Sequence, residues 1–282
     1  MEKTYVERLI MLNILTLNYN KCDNLCALHE TMRTQELDTG SWTWFIKDNF
    51  SKDSSYEEAK NHFKNTVAIN YKNNLQNYSE GNNYLFNIAA PPDNDFILLL
   101  NNDILFNDRV SIGKMISLLK DDVGVVGAKL LYTNKKRIQH AGVIFPNHGL
   151  PLNHRRGDMD DVDASKNRYF QAITGAVMLM RAETYKNICK TNKSGINGLD
   201  ENFVWCFDDV DACLSIKYNQ NKKIVYCGET NISHEESLTL KTNPVNKLFM
   251  THNVNIFQKK WKGKYINDLD RYTNDHNYNL IK

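Results

Sequence analysis

Three groups of side chains in this 282-residue chain have types and spacings that could do chemistry. Asn101-Asn102-Asp103 follows the apolar run 96–100. A carboxylate just past a buried strand can hold Mg2+ or Mn2+, which prefer oxygen ligands and bridge diphosphates. Alone, the tripeptide reads equally as an Asx turn or a helix N-cap. Asp208-Asp209-Val210-Asp211 packs three carboxylates into four residues. A helix N-terminus would ease their repulsion, and a crowded, desolvated carboxylate gains the raised pKa of a general base. A solvated acidic first turn would have the same sequence. Ser233-His234-Glu235-Glu236 follows the last predicted strand. An imidazole that returns to an acidic metal site completes its coordination, although a lone loop histidine usually does not.

These residues need a scaffold. Short apolar runs at 13–17, 42–47, 66–70 and 96–100 read as strands, with a helix from Leu25 and another over 82–90 that stops at Pro91-Pro92. Strands separated by helices predict βαβ units and an α/β fold with a mainly parallel sheet. Ligands of such sheets bind beyond the carboxyl ends of the strands, where Asp48 and Asp103 fall. Further strands are expected at 123–131, 138–145, 173–180 and 223–226, and helices at 208–218 and 246–261. The polar stretch 146–168 reads as a long loop whose His154, Arg155 and Arg156 could clamp an anion or simply be solvated. Trp42 and Trp44 share one strand face and are read as core, whereas Trp205, beside the acidic cluster, is open to core packing or sugar stacking. Lys259, Lys260, Lys262 and Lys264 around Trp261 read as a solvated helix face, with weak membrane association as the alternative.

Composition narrows the class. The net charge is +2 and 41% of residues are hydrophobic, which argues against disorder. The interleaved charges show no long basic run, so no nucleic-acid partner is expected. No secretory signal and no transmembrane segment are read. Six scattered cysteines without a CxxC pair predict reduced thiols and a cytoplasmic location.

Motif order adds a resemblance. Leu15-Thr16-Leu17-Asn18-Tyr19-Asn20 resembles a first strand with a "TYN" turn, and Asp48-Asn49-Phe50-Ser51-Lys52-Asp53-Ser54 a "DNxSxDxS" loop. Ser79-Glu80-Gly81-Asn82-Asn83 resembles a "GGNN" turn, Leu100-Asn101-Asn102-Asp103 an "LNPD" or DxD segment, Gln139-His140-Ala141-Gly142 a "QHAG" segment, and Ile173-Thr174-Gly175-Ala176 a "TGA" strand. The stretch 198–211 resembles "GxFDExFFxYxEDVD". Together, over roughly residues 13–240, these are similar to family 2 glycosyltransferases of the GT-A fold, particularly bacterial rhamnosyl- and O-antigen-type members.

The resemblance implies a GT-A domain over residues 1–240 and a C-terminal helical appendage over 241–282. It implies an inverting transfer from a nucleotide-sugar donor, UDP-linked first and dTDP-linked second, to a glycan, lipid-linked or protein acceptor. Asp209 would be the base, with Asp208 as a rival. Asp103 and His234 would bind Mn2+ or Mg2+. Thr16, Asn18, Asn20, Asp48, Asn82, Asn101 and Asn102 would line the donor site, with Asp48 on the base, and Thr174, Gly175 and Trp205 would border the acceptor. The chain departs from the pattern at Asn101 (for aspartate), Asp208 (for glutamate), Ser215 (for arginine) and Glu80 (for glycine), which motivates a second reading: a degenerate domain that binds nucleotide or carbohydrate without catalysis. A nucleotidyltransferase is disfavoured, because no glycine-rich, lysine-containing loop opens the chain. The missing QxxRW sequence argues against a processive enzyme.

Overall fold

The computed structural model describes residues 9–37, 41–71, 77–204, 206–235 and 244–281. Its first half is a regular alternation: β1 (Met11–Asn18), α1 (Cys22–Met32), β2 (Ser41–Asp48), α2 (Ser55–His62), β3 (Thr66–Asn70), α3 (Tyr78–Ala89) and β4 (Phe96–Leu100). The second half is less regular. It contains β5 (Ile104–Phe106), α4 (Ser111–Leu118), β6 (Val123–Leu131), β7 (Ile138–His140), β8 (Val143–Ile144), β9 (Leu152–Asn153), β10 (Arg168–Phe170), β11 (Val177–Arg181) and α5 (Ala182–Lys186). The chain closes with α6 (Asp208–Asn219), β12 (Lys223–His234), α7 (Pro244–Trp261) and α8 (Leu269–Asn274).

The main sheet runs β10-β12-β6-β11-β4-β1-β2-β3. Six strands on this path point one way, and only β10 and β11 oppose them. The sheet is therefore mainly parallel, as expected, and the carboxyl ends of β1, β2 and β4 share one edge. Side chains alternate along each strand. Leu12 and Ile14 join α1, α2 and α4 in one apolar layer, while Leu15 joins α3, α5, α6 and α7 in the other. Trp44 and the partly buried Trp42 both pack in the first layer, as their spacing predicts.

Several boundaries differ from the sequence reading, each for a local reason. The helix expected over 82–90 begins at Tyr78, because Asn77 and Glu80 form a reciprocal capping box. The segment read as a "GGNN" turn is thus helix, and Glu80 is occupied at the helix start. The strand expected to end at Tyr226 continues to His234. Its polar residues 228–231 hide this, since they coincide with a shift in pairing register against β6. The long loop 146–168 includes β9, and Arg155 is bound there by Asp158 at 3.3 Å and Asp161 at 2.7 Å. His154 packs against the rings of Phe170 and Tyr272. These two side chains are therefore committed to the protein rather than to an anion clamp.

The C-terminal segment also differs from expectation. Phe257, Trp261 and Tyr272 belong to the same apolar cluster as Leu15. Trp261 is buried, and its indole donates to Asp211 at 2.6 Å. Lys260 donates to Asp200 at 2.8 Å and to Asp211 at 2.9 Å. Lys260 and Trp261 thus leave the solvated basic face that the sequence suggested. Among the described residues, no helix is long and apolar enough to cross a membrane.

Asp211 is fully buried, so Lys260→Ala would strand a buried charge. The expected loss is roughly 2–3 kcal/mol, at the low end for a broken buried pair because Lys260 is partly exposed. Without its cation, Asp211 takes up a proton on folding more readily, and that contribution fades as pH rises. Urea unfolding should therefore show a larger deficit at pH 8 than at pH 5, and an unchanged midpoint at both would mean that the pair does not anchor α7.

Candidate active site

At the carboxyl edge of the sheet, three strand ends are joined by side-chain amides. Asn18, closing β1, donates to Asp48 Oδ2 at 2.9 Å and accepts from Asn102 at 2.8 Å. Asp48, closing β2, also accepts from the Ser51 amide at 2.8 Å and the Ser51 hydroxyl at 2.6 Å. Asn20, in the left-handed region, accepts from the Lys52 amide at 2.9 Å. Asn101 is fixed through its backbone, whose N–H donates to Ala176 O at 3.0 Å. Thus Asn18, Asn20, Asp48, Asn101 and Asn102 lie along one edge. Thr16 and Asn82 are not brought to that edge by their side chains: buried Thr16 accepts from the Trp44 indole at 2.9 Å, and buried Asn82 donates within its own helix to Tyr78 O at 2.9 Å.

One residue here carried no sequence signal. Lys47 is fully buried beside Asp48, with Asn49 as a hydrogen-bond partner and its ammonium 4.4 Å from the Tyr71 ring centre. Burial lowers its pKa to about 8, against the opposing charges of Asp48 and Glu80.

Strand register places the two expected metal ligands together. β5 pairs antiparallel with the end of β12, so that Ile104 faces His234 and the Glu235 amide donates to Asp103 O at 3.0 Å. His234 Nε2 then lies 3.0 Å from Asp103 Oδ1. The other ring nitrogen, Nδ1, sits 2.6 Å from Gln139 Oε1 and donates to it, which leaves Nε2 unprotonated and facing Asp103. An imidazole oriented by a carbonyl oxygen is the usual support for a metal ligand. Among the described residues no cluster of three or more acidic, histidine or cysteine side chains could hold a metal. One carboxylate and one imidazole fit a cation that takes its remaining ligands from water and substrate phosphates, as Mg2+ and Mn2+ do.

The acidic triplet opens α6, with Phe207 in the left-handed conformation before it. Asp209 Oδ2 accepts from the Gly175 amide at 2.9 Å and Oδ1 from the Val210 amide at 2.8 Å. Glycine at 175 suits this close approach, since a Cβ there would lie 3.1 Å from that of Asp209 and press on it. Tyr78 fixes the segment by donating to Gly175 O at 2.8 Å. Burial first, and the Asp209 charge second, push Asp208 up to about 8. Burial also raises Asp209, opposed by its backbone donors and by the Thr174 side chain. Both carboxylates are thus raised, and the donors from Gly175 and Val210 favour the charged form at Asp209. Trp205 lies outside the described residues.

The ion-ligand pair and the carboxylate pair are linked through β7. Gln139 orients His234, as above. His140, next in sequence and on the opposite side of the strand, accepts at Nε2 from the Thr174 and Gly142 amides, both at 3.2 Å, and donates from Nδ1 to Asn153 Oδ1 at 2.7 Å. Burial drops His140 to about 4, so the ring is neutral and can accept. Gly142 has φ +98°, and a Cβ there would strike the Phe170 ring. The sequence quoted these four letters as a motif but gave them no role, because their work depends on a tautomer and on long-range contacts.

Solved structures with similar folds are enzymes that handle nucleotide sugars. S. aureus TarS 1–349, solved with UDP-GlcNAc, superposes with a TM-score of 0.59 at 12% identity, over 92% of this chain and 68% of that one. The mannosyltransferase PcManGT from Pyrobaculum calidifontis, solved with GDP-Man and Mn2+, gives 0.57 at 11% identity, over 90% and 65%. GalNAc-T7, solved with UDP, GalNAc and Mn2+, gives 0.62 at 10% identity, over 98% and 56%. These likenesses support the GT-A fold expected from the motifs. A search of curated protein sequences finds no match. The model of a glycosyltransferase-like family 2 matches residues 51–248, well over half of the chain, and the protein belongs to that family.

Proposed function

We propose that the chain is a metal-dependent, inverting hexosyltransferase that moves one sugar from a nucleoside diphosphate donor to a hydroxyl of a glycan or glycoconjugate. The observation that carries this reading is the Gln139-His140 pair, which holds the Asp103–His234 site and the Thr174-Gly175 support of Asp209 in one rigid frame. UDP is the first choice of donor and dTDP the second. The UDP-bound TarS and GalNAc-T7 structures support that order. Six free cysteines fit a reducing compartment, so the cytoplasm is the proposed location.

The chemistry is a single displacement. The Asp209 carboxylate removes the acceptor hydroxyl proton as the oxygen bonds to the anomeric carbon. The bond from that carbon to the diphosphate oxygen breaks on the opposite side, and its electrons leave with the nucleotide. Asp103 and His234 would hold Mn2+ or Mg2+, which supplies Lewis-acid stabilisation of the charge on the departing diphosphate. Asp48 and Asn18 position the nucleoside end by ordering the strand edge. Gly175 keeps Asp209 ionised and aimed, and no covalent enzyme intermediate is required.

Calorimetry with UDP, dTDP and GDP, with and without Mn2+, tests the donor site. One nucleotide should bind in a metal-dependent way, and Asp103→Ala should abolish that dependence. Silence toward all three would favour the non-catalytic domain. Asp209→Asn should keep nucleotide binding and lower turnover by roughly 10²- to 10⁴-fold, the usual contribution of a general base; full turnover in this variant would move the base to Asp208.

The carboxylate pair also predicts pH behaviour. Asp208 is raised in the folded state, so its contribution to stability is present at acid pH and lost as pH rises through about 8. Asp208→Asn should raise the melting temperature at pH 8 and change it less at pH 5. Because Asp208, raised to about 8, is already uncharged over the acid limb of kcat/KM, the neutral Asn should leave that limb in place. An acid limb that moves to lower pH would show that Asp208 carries charge beside Asp209.

A further inference from the structure

Beside the base lies a cleft of about 670 Å³ for which the displacement step has no use. Asn77 and Glu80 of the α3 start, the segment from Glu201 to Val204, and Ile256 and Lys259 of α7 form its walls. The cleft adjoins the reacting centre along two paths. Asn77 precedes Tyr78, whose hydroxyl holds Gly175, and Val204 lies four residues before Asp208. The walls are tied together: Asn77 donates to Glu201 O at 3.0 Å, the Val204 amide donates to Asn253 at 3.1 Å, and Asn253 donates to Cys206 O at 2.8 Å. A preformed space of this volume lies in the range of small-ligand sites, about 300–1,000 Å³.

Its chemistry points to one class of occupant. Val204 and Ile256 offer apolar surface, while exposed Asn202 and Lys259 offer hydrogen-bond donors. The acids at the rim are turned inward: Glu201 accepts from Asn83 at 3.0 Å and the Ser194 hydroxyl at 2.6 Å, and Glu80 accepts from the Asn77 amide at 3.1 Å. Lys260 is neutralised by Asp200 and Asp211. Glu80 and Glu201 offset Lys193 and Lys259, so the lining carries no excess charge to draw a polyanion. Neutral pyranoses match such a surface, with hydroxyls for the amide and ammonium and C–H faces for the apolar strip. Phe249, His252, Ile256 and Lys259 are spaced three, four and three apart and so share one face of α7. The exposed Phe249 ring extends that strip past the cleft.

We propose that this cleft is the outer acceptor subsite and binds a neutral oligosaccharide, the part of the acceptor that trails the sugar being modified. The assignment rests on the transferase reading. The test uses the full chain on an array of neutral mono- to hexasaccharides with their sulfated, phosphorylated and lipid-linked counterparts, alongside calorimetry with UDP and Mn2+. Asn202→Ala/Lys259→Ala removes two exposed side chains, one of which also donates to Asp200 at 2.8 Å, so this variant should melt only slightly below wild type. It should bind UDP normally and retain neutral oligosaccharides about tenfold more weakly, as expected for two lost hydrogen bonds. Asn202→Trp, which fills the cleft, should do the same. An array that is silent, that prefers anionic or lipid-linked glycans, or that responds equally to wild type and variants overturns the subsite. Loss of UDP binding in wild type with neutral-glycan binding intact would instead overturn the transferase reading and leave the cleft as a carbohydrate site.

Discussion

The neutrality of one buried imidazole is the constraint on which the site depends. His140 must accept two backbone amides at Nε2 while it donates at Nδ1, and only the uncharged ring can do both. Protonation would turn an acceptor into a donor facing two N–H groups. Burial keeps the ring neutral, and burial in turn requires the apolar packing of Phe170 and Tyr226 around it. The distance from His140 to the base is short: Thr174 is held by the imidazole, and its neighbour Gly175 holds Asp209. Core packing and the environment of Asp209, the proposed base, are therefore coupled through three residues rather than through a general stiffness of the fold.

The same economy appears in α6, whose first turn puts three carboxylates to three uses. Asp209 accepts from the Gly175 amide, which favours its charged form against burial. Asp208 is pushed up by burial and by the Asp209 charge. Asp211 projects into the core, where Trp261 and Lys260 compensate it. Residues one and two positions apart on a helix project in different directions, so Asp209 meets a solvation different from that of Asp208 and Asp211. The helix dipole favours all three acids but does not distinguish them; their surroundings do. The sequence reading left Asp208 and Asp209 as rivals for the base, and the Gly175 and Val210 donors on Asp209 support its choice in the proposed reaction.

Much of this was legible in the sequence where the determining interactions are local. The runs at 13–17 and 96–100 are apolar because buried parallel strands must be, and Asp48 and Asp103 sit at strand ends because the apolar run stops there. Asp103 and His234 required the motif resemblance, since their meeting depends on β5 pairing with a strand more than a hundred residues away. The final two-thirds of β12 was hidden because its polar residues lie where the register shifts. The lysine-rich stretch around Trp261 gave the wrong impression for a related reason: Lys260 looks like a solvent residue until Asp200 and Asp211 are brought beneath it. Gln139 and His140 carried a recognisable pattern but no readable function, because nothing in four letters specifies a tautomer.

The C-terminal helices gain a functional meaning from these contacts. α7 is braced to α6 through Asp211, two residues beyond the base, and to the segment before α6 through Asn253. The wall of the adjoining cleft and the helix that carries Asp209 are thus parts of one packed body. A ligand held against α7 would be held at a fixed offset from the carboxylate, which is the geometric requirement for presenting a hydroxyl to a general base. A buried ion pair is a costly means of attachment, and an apolar contact of similar volume often gives equal or greater stability. Its advantage here is directional. The ammonium of Lys260 must meet two carboxylates at once, so α7 has little freedom to slide along its own axis, and sliding is the motion that would carry the cleft out of register with the base.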